Sequence, residues 1–116
     1  MLMEFKLDMP NVGSWNGRWT GEGKYHARVI NFTQKYGKSE QAIEKADKIL
    51  KGGSHYYNFG DGWGMDITVR VVDSKEAAKI RKKSAGFCSY DWAIDSILQY
   101  GEILNSAQRK ARETDK

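Results

Sequence analysis

The chain has one cysteine, one proline and two histidines in 116 residues, and its apolar residues never form a long uninterrupted run. A lone cysteine, Cys88, excludes an internal disulfide framework and fits a reducing compartment, so the cytoplasm is the expected location. The two histidines, His26 and His55, stand at no metal-ligand spacing, and Cys-x-x-Cys, His-x-x-x-His and calcium-loop patterns are all missing. No window reaches the roughly 18 apolar residues that a bilayer crossing needs. The opening segment Met1-Leu2-Met3-Glu4-Phe5-Lys6-Leu7-Asp8 alternates apolar and charged residues, which is the pattern of a strand and not of a secretory leader. There is no internal repeat and no proline- or serine-rich linker.

What remains is a composition of 40% hydrophobic and 29% charged residues, enough to bury a core within one domain. Ten of the twelve glycines fall before residue 65, so the first half is rich in turns and the second in helix. Trp15-Asn16-Gly17-Arg18-Trp19 suits a tight hairpin, and Tyr25, Ala27 and Val29 alternate with His26, Arg28 and Ile30 in a strand from Lys24 to Phe32. Ser39 is a helix N-cap, followed by Ala42, Ile43, Ala46, Ile49 and Leu50 at helical intervals. Gly52-Gly53 stops this helix, and Lys48 and Lys51 suit the negative end of its dipole. Ser54–Phe59 and Met65–Val72 read as an antiparallel pair of strands turning at Gly60-Asp61-Gly62. Asp73 and Glu76 have capping-box spacing for a helix from Ser74 to about Lys83, with Ala77, Ala78 and Ile80 facing the sheet. Ser89 can cap a further helix through Tyr100, with Trp92, Ala93, Ser96, Ile97 and Tyr100 inward and Gly101 as its stop. The expectation is an α+β domain over residues 1–104, with about four antiparallel strands and two to three helices on one face, then a frayed polar tail over 105–116.

For chemistry, the stretch Tyr56 to Gly64 sets three glycines and Asp61 among four aromatic rings, a candidate stacking platform or hot spot. Four of the five residues from Lys79 to Lys83 are basic, and with Ser84-Ala85-Gly86 and a helix starting near Ser89 they could hold a phosphate. Lys and Arg at a helix end also simply suit its dipole and its solvation. A thiolate mechanism would need Cys88 beside His26 or His55 with Asp61 or Asp91 as orienter, but such a set can be drawn in many chains. Asp91 and Asp95 are one helical turn apart, as exposed helix acids commonly are. The candidate binding residues are therefore Tyr57, Phe59, Asp61, Trp63, Lys79, Arg81, Lys82 and Lys83. No catalytic residue, metal or cofactor is assigned.

Trp15-Asn16-Gly17-Arg18-Trp19, Tyr57-Asn58-Phe59-Gly60-Asp61-Gly62-Trp63 and Gly86-Phe87-Cys88-Ser89-Tyr90-Asp91-Trp92 resemble segments of small uncharacterised accessory proteins of phages and prophages of Gram-positive bacteria. The resemblance implies an anti-defence protein in the host cytoplasm that blocks a host protein or ribonucleoprotein effector, such as a CRISPR nuclease, by occupancy. Its alternative is a nucleotide or nucleic-acid binding module that stacks bases on the rings and holds phosphates with Arg81, Lys82 and Lys83.

Overall fold

The computed structural model describes residues 1–8, 25–60, 63–84 and 90–114. Four antiparallel strands form one sheet: β1 (Leu2–Asp8), β2 (His26–Asn31), β3 (Ser54–Gly60) and β4 (Trp63–Val72), in the order β2-β1-β4-β3. Strand β1 is central because both its edges are taken, with Phe5 opposite Arg28 on one side and Val69 on the other. Its alternation sends Met3, Phe5 and Leu7 to one face, where they meet Met65, Ile67 and Val69 of β4. The expected face assignment of β4 therefore holds.

Five helices surround the sheet among the described residues: α1 (Phe32–Tyr36), α2 (Glu40–Gly52), α3 (Ser74–Lys83), α4 (Asp91–Tyr100) and α5 (Ser106–Thr114). The caps of α2 and α3 follow the sequence reading. The Ser39 side chain accepts the Ala42 N–H, Gly53 with φ 66° ends α2, and the Asp73 carboxylate accepts the Glu76 N–H. Ala42, Ala46 and Ile49 of α2 and Ala93, Ile94, Ile97 and Leu98 of α4 close the main core over the Phe5 face. Ile43, expected inward, is 52% exposed, and Ala78 is also exposed, because each lies just off the buried stripe of its helix.

The helices do not all share one face, and there are more of them than expected. Helix α3 lies across the opposite face, where Ala77 and Ile80 join Ala27 and Val72 in a second, smaller cluster flanked by Leu2 and Val29. The end of the sheet near Leu2 is apolar on both faces and needs two covers. Helix α1 occupies the end of the segment read as strand: Asn31 accepts the Gln34 N–H as an N-cap, and Phe32 turns into the main core. The Trp15–Trp19 hairpin, the Gly60-Asp61-Gly62 turn at residues 61–62, and Cys88 and Ser89 lie outside the described residues. No helix among the described residues is long and apolar enough to cross a membrane.

Candidate functional site

On the Phe5 face, β3 is the edge strand, and its inward positions His55 and Tyr57 lie opposite Ile67 and Met65. Tyr57 meets Trp92, on the first turn of α4, edge to face, with ring centroids 5.3 Å apart and planes at 83°. The guanidinium carbon of Arg109 lies 5.7 Å from the centroid of the Trp92 ring, a cation–π distance. Tyr57, Trp92, Asn105, Ser106 and Arg109 together line an open groove of about 410 Å³, within the size range of ligand sites.

Arg109 reaches this groove because the chain reverses tightly after α4. Gly101, in the left-handed conformation with φ 79°, ends α4. The buried Ser96 hydroxyl then donates to the Glu102 carbonyl and accepts the Leu104 N–H, both at 2.8 Å. Asn105 and Gln108 form a reciprocal cap, each side-chain oxygen accepting the other's main-chain N–H at 2.8 and 2.9 Å, and this starts α5. The residues expected to fray are thus helical from Ser106 to Thr114, although no α5 side chain is buried. Arg112 pairs with Glu102 at 3.6 Å, whereas Arg109 has no ion pair among the described residues. The Arg109 Nε is buried there without a hydrogen-bond partner, so part of the guanidinium has lost water without gaining an acceptor.

The basic candidates lie elsewhere. Lys79, Arg81, Lys82 and Lys83 are all exposed on α3, across the sheet from Tyr57. Lys83 holds its ammonium 4.3 Å from the Tyr25 ring centroid, and Lys6 approaches the same ring at 5.6 Å. Lys79, Arg81 and Lys82 form no ion pair among the described residues. The structure therefore separates Tyr57 from the α3 cations, and a single pocket that stacks a base on Tyr57 and binds its phosphate through Arg81 to Lys83 does not form. Phe59 and Trp63 contribute main chain to β3 and β4, while their side chains, like Asp61, fall outside the described residues.

Of the residues considered for a thiolate mechanism, Cys88 and Asp61 lie outside the described residues, and the two histidines are far apart. His26 and His55 sit on the two outer strands, three strand spacings or roughly 14 Å apart. His55 is buried with its Nε2 3.1 Å from the Ile49 carbonyl, and Asp91 is bonded to Arg28 at 2.9 Å. No group of three or more potential metal ligands occurs among the described residues.

The sequence marks Arg109 only as one of the tail cations with Lys110, Arg112 and Lys116, able to meet phosphates, and does not single out Asn105 and Ser106. The signal was present: Asn105 and Gln108 stand at capping-box spacing, with Ala107 between them and Ala111 after them, both of which favour helix. No family model matches the chain, and no curated protein or solved structure is significantly similar to it.

Proposed function

We propose that this is a non-catalytic binding protein that acts by occupancy, as a stoichiometric inhibitor of a host defence effector. The observation that carries the binding mode is the groove in which Arg109 lies over Trp92, with Tyr57 edge-on beside it. Tyr, Trp and Arg are the residues that most often dominate protein interfaces, and here all three are held by secondary structure around one concavity. The host-defence assignment rests on the sequence resemblance. A second reading, nucleic-acid or nucleotide binding, is favoured by the exposed cations Lys79, Arg81 and Lys82, which lack ion pairs among the described residues.

The test is capture from a Gram-positive host lysate with and without nuclease, using wild type, Arg109→Ala and the double variant Arg81→Glu/Lys82→Glu. The proposal expects a nuclease-resistant protein partner in stoichiometric yield, lost with Arg109→Ala and kept by the α3 variant. Capture that disappears with nuclease and with the α3 variant, and that weakens steeply with salt, replaces the first reading with the second.

A further inference from the structure

Strand β2 is an outer strand of the sheet, and Ser84, just after α3, reports which of its main-chain groups face outward. The Ser84 hydroxyl accepts the Ala27 N–H at 3.0 Å and donates to the Ala27 carbonyl at 2.6 Å. Both main-chain groups of Ala27 therefore point away from β1. In an antiparallel pair this orientation alternates, so Arg28 and Ile30 bond inward to β1 while the N–H and carbonyl of Val29 point outward like those of Ala27. Among the described residues nothing pairs with the Val29 groups. Beside them runs a groove of about 250 Å³ between β2 and α3, lined by Ala27, Arg28, Val29, Ile80, Arg81 and Ser84.

We infer that this groove is a docking site for an extended acidic peptide segment of a partner protein, which adds to β2 by exchanging both hydrogen bonds with Val29. Side-chain direction and charge choose the occupant. The peptide residue opposite Val29 has its side chain on the α3 face, beside Ile80 and Arg81, and suits a glutamate whose stem covers Ile80 and whose carboxylate meets Arg81. Its two neighbours fall on the Arg28 face of the sheet. Arg28 is already bonded to Asp91, whereas Arg81 is exposed and has no ion pair among the described residues, so the groove carries net positive charge. A second copy paired through Val29 of β2 would set Arg28 opposite Ile30 and bring the two Arg81 side chains, which lack ion pairs among the described residues, onto one face, which disfavours self-association. Ser84 fixes one end of the site, because it already occupies the Ala27 groups that a longer ladder would use.

This site is independent of the Arg109 groove, and its test does not involve that groove. The probe is an acetylated, amidated pentapeptide alternating glutamate and valine, titrated into the isotope-labelled full chain, with a lysine–valine peptide and a dT12 oligonucleotide as competitors. The inference expects saturable binding and a slowing of Val29 amide exchange of at least about tenfold, as one newly protected amide gives. It also expects about tenfold weaker binding for Arg81→Glu, which keeps its fold because Arg81 is exposed. Val29→Pro removes the outward N–H and should abolish binding. No saturation at millimolar peptide, binding without change at the Val29 amide, equal affinity for the lysine peptide, displacement of the peptide by dT12, or self-association lost in Val29→Pro would each overturn it.

Discussion

Ser96 and Leu104 are joined by a buried hydrogen bond of 2.8 Å from the Leu104 N–H to the Ser96 hydroxyl, which in turn donates to the Glu102 carbonyl. One side chain thus satisfies two main-chain groups in the reversal that carries α5 to Trp92. Ser96→Ala leaves both without this partner and should cost about 1–3 kcal/mol in denaturant unfolding. It should also speed amide exchange through α5, and an unchanged exchange pattern would show that α5 is held by other means.

Gly64 is required by close approach. A methyl group on its Cα would lie 2.7 Å from the Tyr57 carbonyl oxygen and 2.3 Å from the Tyr56 hydroxyl. Gly64→Ala should destabilise by about 1–3 kcal/mol, typical of overpacking. Adding Tyr56→Ala removes the side-chain clash and leaves the carbonyl one, so the double variant should recover only part of the loss.

Glu4 is 2% exposed, and its Oε1 accepts from Arg70 Nε while Oε2 has no partner among the described residues. Arg70→Met strands a buried carboxylate and should cost about 3 kcal/mol, reduced to the extent that the half-exposed Arg70 is replaced by water. Adding Glu4→Leu should restore most of that stability, since an apolar pair can replace a buried ion pair. A double variant no better than Arg70→Met alone would contradict this account.

Burial, followed by the charge of Asp95, raises the Tyr36 hydroxyl above its ordinary value of 10.0. The folded chain then holds this proton more tightly than the unfolded one. The contribution is fully present below pH 10.0 and is lost as pH rises through the folded value. Melting temperature should therefore fall more steeply above pH 10.0 in wild type than in Tyr36→Phe. Parallel curves would exclude Tyr36 as the source.

The parts of the fold legible in the sequence were those encoded locally. Ser39, Asp73 and Gly53 acted as caps as their chemistry requires, and the alternation of Ile67, Val69 and Val71 fixed the faces of β4. The order of strands was not legible, because β1 pairs with β4 through residues far apart in sequence. Lys48 suits the dipole of its own helix, yet its ammonium reaches the Tyr100 carbonyl of α4 at 3.5 Å, and Lys45 reaches that of Leu98 at 2.7 Å. Of the candidate site, Tyr57 was legible as an aromatic in a turn-rich hairpin. Arg109 was not, since its role depends on a chain reversal set by Ser96, a residue whose pattern marks it only as one more inward position of α4.

The central place of β1 also bears on how the chain reaches its fold. Leu2 lies opposite Val72, so the strand made first in this chain acquires its second neighbour only after β4 has emerged. The local β3–β4 hairpin can form early at little loop-closure cost, whereas joining it to β1 closes a loop that spans more than half the chain. Docking of β1 onto β4 is therefore the expected rate-limiting step. Substitutions at Phe5 or Val69 should slow refolding more than comparable ones within the hairpin, and stopped-flow chevrons with equal folding-limb shifts at both places would argue against it. Nascent chains that stop short of β4 would expose an unpaired edge of β1, a liability that lasts until synthesis passes Val72.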